Sequence, residues 1–279
     1  METPAGPQSF YALGHSEHEL QRLSRQAHAI EPFTRQLFEE AGINQGMRVL
    51  DVGCGSGDVA FLTANLVGFD GEVVGADRER KAVDWASARA RSQGVTNVKF
   101  IEGDPTEMEF DQPFDAIVGR LVLMYYPDPV DAISKLMRHV RPGGLIVFQE
   151  VDLANARSLP VAPLYEHSLA WIKQTLSVTG ARIYLGSELY PVFLAAGLSG
   201  PSMRMDALIG GGQQCPLYEI VAELVQSLLP AMEKLKIAGA AEVGMSTLAQ
   251  RIRDEVVALK GVVFSAGFIG AWSRKQYSQ

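Results

Sequence analysis

One rhythm in the chain constrains its fold more than anything else. Between residues 47 and 152, short apolar runs and helically spaced segments alternate five times. The runs are "MRVLDVG" (47–53), "GEVVGAD" (71–77), "VKFIEGD" (98–104), "FDAIVGR" (114–120) and "LIVFQEVD" (145–152). Each is bounded by glycine, proline or acidic residues, as strands buried on both faces are. Helices are predicted at 58–67 and 79–93, and from Pro127-Asp-Pro129 to about 140, before a turn at "RPGG" (141–144). Such alternation predicts an α/β, doubly wound, mostly parallel sheet with helices on both faces.

The flanks are less regular. "SEHE" at 16–19 matches a capping box ahead of Leu20, Leu23, Ala27 and Ile30, which predicts a helix over 17–30. Pro32 opens a second helix that Gly42 ends. After Asp152 the spacing predicts a loop and helix over 155–179, a helix over 186–200, a strand at 202–210, and helices over 217–236 and 246–259. Ile220, Leu224, Leu228, Met232 and Leu235 form the apolar stripe of the long helix. Residues 262–275 read as a closing strand pair or one long strand. The expected organisation is an N-terminal helical cover (1–42), a ligand-binding core (43–152) and the remainder of the sheet (153–279). The last part carries helical lid insertions near 155–180 and 215–260.

The chemistry concentrates in "VLDVGCGSGD", residues 49–58. A glycine loop after the first strand of such a sheet is the usual ligand site. Gly53, Gly55 and Gly57 permit close approach of a ligand to the backbone. The dinucleotide fingerprint needs its third glycine at position 58, where this chain has Asp58. Asp51 precedes the first glycine, and an anion there repels a pyrophosphate. No GK[ST] follows, so a P-loop is excluded. The loop suits a ligand with an amino group or a sulfonium. Asp77, ending the second strand, can accept hydrogen bonds from two ribose hydroxyls. Asp104, ending the third, can accept from an adenine amino group. Arg120 and Leu121 end the fourth strand, and Glu150 and Asp152 end the fifth, overlooking whatever lies beside the ligand.

Composition removes other classes. The net charge of −7 argues against a nucleic-acid partner. The two cysteines and five histidines form no ligand cluster, so no metal is expected, and the distant cysteines suit a reducing, cytoplasmic compartment. No signal peptide or spanning segment is apparent, and no membrane partner is expected.

These ordered segments resemble the motifs of class I S-adenosylmethionine-dependent methyltransferases. The resemblance rests on "VLDVGCGSGD", "VVGAD", "FIEGDPTEM", "FDAIVGRLVLMYYPDP" and "RPGGLIVFQEVD". It implies a seven-stranded Rossmann-like sheet, S-adenosylmethionine as cofactor, and methyl transfer to oxygen, carbon or nitrogen of a small molecule by a monomer or homodimer. The backbone of Gly53, Cys54, Gly55 and Gly57 would hold the methionine part, with Asp51 organising the loop and the amino group. Asp77 would bind the ribose and Arg78 flank the adenine, held by Asp104 and the Pro105 backbone. The Arg120 carbonyl, with Leu121 beside it, would face the amino group. "YALGHSEHELQRLSRQA" (11–27) resembles the leader of bacterial small-molecule methyltransferases and would bring Tyr11, Arg22 and Gln26 to the methionine end.

The chain lacks the [DNS]PP[YFW] sequence after strand four and a cysteine after strand four or five, which speaks against nucleobase acceptors. Tyr125, Glu150, Asp152 and His167 are the candidate bases; Tyr125, His167 and Trp171 are candidate acceptor contacts. The alternatives are non-methylating use of the same cofactor, as in a cyclase, and a nicotinamide-dependent oxidoreductase.

Overall fold

A computed structural model describes residues 17–277, with side chains from Ala29 onward. In chain order the elements are α1 (Glu17–Ala41), β1 (Arg48–Val52), α2 (Asp58–Val67), β2 (Glu72–Asp77), α3 (Arg80–Gln93), β3 (Val98–Glu102), β4 (Phe114–Arg120), α4 (Pro129–Leu136) and β5 (Val140–Asp152). They continue with β6 (Arg157–Leu159), α5 (Pro163–Val178), α6 (Leu185–Ala195), β7 (Ser202–Asp206), β8 (Ile209–Gly211) and α7 (Leu217–Lys234). The last are α8 (Ala240–Val243), α9 (Leu248–Ala258), β9 (Val262–Phe264) and β10 (Gly267–Arg274).

The main sheet has seven strands in the order β3-β2-β1-β4-β5-β10-β7. The pairs among β1 to β5 are parallel, and β10 runs antiparallel to β5 and β7. The order reverses between β1 and β4, which opens a crevice at the carboxyl ends of those strands. Alternate side chains feed two cores. Val49, Val73, Val118 and Val147 pack with Leu37 and Phe38 of α1 and Val59 and Leu62 of α2. On the other face, Leu50, Val52, Ile117 and Phe148 join the larger core built with α4 to α7 and α9.

Four expectations are corrected. The helices over 17–30 and 32–41 are one helix through Pro32; the packing of Leu37 and Phe38 outweighs one missing backbone donor. "RPGG" lies inside β5, where the pairing to β4 jumps from Phe114↔Val140 to Ala116↔Leu145, a local bulge. Residues 202–210 divide into β7 and the start of β8, and 262–275 into β9 and β10. In each case the two strands join different sheets. The second sheet, β6-β9-β8, was not expected. On α7, Leu228 and Met232 are buried as expected, Ile220 and Leu224 are half-buried, and Leu235 lies just past the helix end.

The small sheet and helices α5, α7 and α9 form a lobe made by two excursions from the main sheet, one between β5 and α6 and one between β7 and β10. Helix α5 has no side-chain cap of its own. Glu255 of α9 supplies one: its Oε2 accepts from the Leu164 amide at 2.9 Å. The lobe touches α1 through α7, and its core takes in Leu121, Val122 and Tyr125, which follow β4 at the crevice.

Candidate functional site: the glycine loop and its acids

The turn from β1 to α2 is built for close approach. Gly53, Gly55 and Gly57 have φ of 66°, 50° and 89°, a region side chains rarely adopt. A Cβ at Gly53 would sit 2.4 Å from Val122 Cγ2, and one at Gly57 would sit 2.9 Å from Phe100. A Cβ at Gly55 would meet nothing within 4 Å, so this part of the loop faces open space.

Around that opening the acids differ. Asp51 is buried, and neither carboxylate oxygen has a hydrogen-bond partner among the described residues. Burial pushes its pKa well above the usual carboxylate range; Arg120 opposes this, while Asp77 and Asp58 reinforce it. Asp58 is held by Arg89 of α3 at 3.0 Å and accepts from the Ser56 hydroxyl at 2.5 Å. Asp77 accepts from the Gly55 amide through Oδ2 and from the Glu79 amide through Oδ1, each at 2.9 Å. One lone pair remains on each oxygen, two acceptor positions aimed from the end of β2. Cys54 is buried, and desolvation raises its thiol pKa, so it is an inert part of the turn.

Asp104 departs from the expected role. Its Oδ1 accepts from the Tyr126 hydroxyl at 2.8 Å and the Thr106 amide at 3.0 Å. Its Oδ2 takes two bonds from the Arg78 guanidinium. Burial raises its pKa, but these four donors hold it below the usual value. All four lone-pair positions are used, and none is left for an adenine amino group in this arrangement. Arg78 is therefore anchored, lying over the Tyr126 ring at 4.7 Å. Pro105 has no backbone donor, and its carbonyl lies 3.1 Å from His139 Nε2.

At the ends of β4 and β5 the sequence reading missed a network. Arg120 Nη1 donates to the Thr34 hydroxyl at 3.1 Å, and that hydroxyl donates to Gln149 Oε1 at 2.7 Å. It joins α1 to the sheet beside Asp51. The sequence signal was the polar pair Gln149-Glu150 inside an apolar strand. Thr34→Val removes the shared partner of both groups. A loss of about 2 kcal/mol of unfolding free energy is expected, measured by urea denaturation, with Thr34→Ser retaining most of it.

Leu121, next in line, has φ of 54°, and its amide donates to the Gln149 carbonyl at 2.8 Å. A non-glycine residue held at positive φ marks strain stored beside the crevice. Tyr125 is half-buried at the end of the 3-10 turn Leu123–Tyr125. Glu150 is buried and accepts from the Val122 and Leu123 amides at 3.0 and 2.8 Å. Asp152 is buried, caps Ala154 and pairs with the Ser187 hydroxyl. Both acids thus secure local structure instead of standing open to a ligand. Trp171 is buried in the larger core, and His167 is exposed against it with ring centroids 4.5 Å apart. That is surface packing on α5, which gives no support to an acceptor role for either. Tyr11 lies outside the described residues; Arg22 and Gln26 lie on α1, outside those with described side chains. Among the described residues no cluster could hold a metal ion, and no helix is long and apolar enough to cross a membrane.

The comparisons agree with this geometry. A family profile described as "Methyltransferase domain" matches residues 43–197, from the start of β1 to the end of α6. The chain belongs to the methyltransferase-domain family. Its fold and glycine-loop motifs are those of class I S-adenosylmethionine-dependent methyltransferases. A similar curated protein is the demethylmenaquinone methyltransferase of Staphylococcus aureus strain MRSA252, 29% identical over 158 residues, 56% of this chain and 62% of that protein. The matched segment therefore spans less than two thirds of that relative. Among solved structures, the YcgJ protein of Bacillus subtilis aligns with a TM-score of 0.59 at 19% identity, covering 88% of this chain and 99% of its own. The [4+2]-cyclase SpnF aligns with a TM-score of 0.55 at 22% identity, covering 90% of this chain and 82% of its own. These structural likenesses concern the fold.

Proposed function

We propose that this methyltransferase domain moves a methyl group from S-adenosylmethionine to a small, partly apolar acceptor. The observation that carries the reading is Asp51, a buried carboxylate with no hydrogen-bond partner among the described residues, beside an open glycine loop. A nearby cation stabilises the charged form of such a group, and the amino group of a methionine tail is one. The two free lone pairs of Asp77 match the two hydroxyls of a ribose. Gly55 leaves the room between them. The residues present therefore fit the cofactor, apart from the adenine contact expected of Asp104.

When bound, the cofactor supplies a methyl group already activated on a sulfonium. The chain's own contribution is placement. Asp51 and the loop amides would orient the methionine end, Asp77 the ribose, and the Thr34-Arg120-Gln149 network the floor beside them. Helix α1 and the lobe would exclude water and set the acceptor in line. We assign cofactor binding to 43–152 and the acceptor side to α1 and the lobe. The two described cysteines, both buried thiols, suit a reducing compartment.

Demethylmenaquinone, named for the Staphylococcus aureus relative, is the first acceptor to assay. Calorimetry is expected to show binding of S-adenosylhomocysteine and none of NADH. Mass spectrometry of acceptor mixtures is expected to show a product heavier by one methylene. An acceptor transformed with no gain in mass and no cofactor consumed would sink the methyl-transfer reading in favour of a cyclase.

A further inference from the structure

The three-stranded sheet has an outer face that nothing among the described residues covers. Across it, Arg157, Phe264 and Ile209 lie in register, and next to them Leu159, Val262 and Gly211. Residues directly opposite in a sheet point to the same side. The intervening row, Ser158, Val263 and Gly210, points inward; Val263 is fully buried and Cys215 packs under Gly210. The outward row is apolar but wet. Leu159 is 63% exposed and Ile209 61% exposed, and the adjoining Val161 and Leu259 are 68% and 40% exposed.

We propose that this face docks on the surface of an anionic lipid bilayer. Charge is the first reason. The six residues of the face and the turn beside it carry Arg157 and Lys260 and no carboxylate, in a chain of net charge −7. Arg157 lies over the Phe264 ring at 4.3 Å, and neither cation has an ion pair among the described residues. Aliphatic tips flanked by two long cationic side chains enter the headgroup boundary while the charges meet lipid phosphates.

Size is the second reason. Three strands of three residues span roughly 10 by 14 Å, on the order of 150 Å². A stable dimer buries about 800 Å² on each partner, so a second copy has far too little to hold here. A bilayer needs no complementary shape and wets a small convex patch readily. Composition did not foretell this partner, because averages over the chain hide a local patch. Since the lobe borders the crevice, docking would place an apolar acceptor's source next to the site.

The test uses the full chain and sedimentation with vesicles of phosphatidylcholine alone or mixed with phosphatidylglycerol. Binding to the mixed vesicles is expected, weakened by salt. The double variant Leu159→Ser, Ile209→Ser should bind about tenfold more weakly. Arg157→Glu should lose the preference for phosphatidylglycerol. Phe69→Ser, an exposed aromatic in the turn between α2 and β2 and outside the small sheet, should bind as the parent does. All these positions are exposed, so the variants are expected to keep the parent's thermal midpoint. Failure of the parent chain to sediment with the mixed vesicles overturns the proposal, as does undiminished binding by the double variant. Self-association without lipid that the same double variant abolishes would overturn it in favour of a second copy.

Discussion

Asp77→Ala is expected to weaken S-adenosylhomocysteine binding by about two to three orders of magnitude. Two hydrogen bonds from ribose hydroxyls to a charged acceptor contribute about 1.5–3 kcal/mol each, and 1.4 kcal/mol is tenfold in affinity. The structure adds a second route to the same loss. Asp77 already accepts from the Gly55 and Glu79 amides at 2.9 Å, so alanine also frees the loop that cradles the ligand. Asp77 is only half-buried and its amide partners lie at the mouth of the crevice, where water can replace it. The unliganded fold is therefore expected to lose about 1 kcal/mol, a shift of a few degrees in thermal midpoint. Asp77→Asn keeps an acceptor oxygen for one amide but has no charge, and should fall between. Calorimetric titration beside thermal denaturation of the same samples separates the two effects. An unchanged affinity in the alanine variant would falsify the ribose role while leaving the Asp51 argument standing.

Why the placement of Asp77 was legible in sequence and the partners of Asp104 were not is a matter of contact range. The role proposed for Asp77 rests on its place at the end of β2, which the pattern "VVGAD" shows locally. The role of Asp104 depends on Tyr126 and Arg78, each over twenty residues away in the chain, folded onto it by the β4 loop and the turn into α3. The strands of the parallel core were legible because each is buried on both faces and closed by turn residues. Strand β4 runs from Phe114 to Arg120, as the apolar run does. The three-residue strands β6, β8 and β9 are too short for any period to register, so the second sheet had no signature. Pro32 misled for a related reason. A local rule says that proline interrupts a helix, but the fixed packing of Leu37 and Phe38 against the sheet carries α1 through it. The Thr34-Arg120-Gln149 network combines both difficulties, joining three elements through one hydroxyl.

Glu150 leads to the other large effect, on stability against pH. The side chain is fully buried on β5; its Oε1 receives two backbone amides, and its Oε2 has no partner among the described residues. Burial, opposed by the amides of Leu123, Val122 and Met124, pushes its pKa up to about 8. In the unfolded chain a glutamate titrates near about 4.3. Between these values the folded state keeps a proton that the unfolded state has released. Stability therefore falls as pH rises through this window and levels off above about 8. Each pH unit of the window corresponds to about 1.4 kcal/mol, so the total loss is about 5 kcal/mol. Glu150→Gln is neutral, nearly isosteric, and keeps an oxygen for the two amides. At pH 5 it should match the parent; at pH 9 it should be more stable by several kcal/mol. Urea denaturation of both proteins at pH 5, 7 and 9 measures the difference, and parallel profiles would sink the assignment. The same protonation bears on chemistry. A carboxyl that is neutral at pH 7 is a poor general base, so Glu150 acts by holding the 122–124 turn in place. That turn carries Val122, whose side chain would meet a Cβ at Gly53 at 2.4 Å and so fixes the wall of the cofactor loop. Because the glutamine keeps these amide bonds, the variant should retain its affinity for S-adenosylhomocysteine at pH 7.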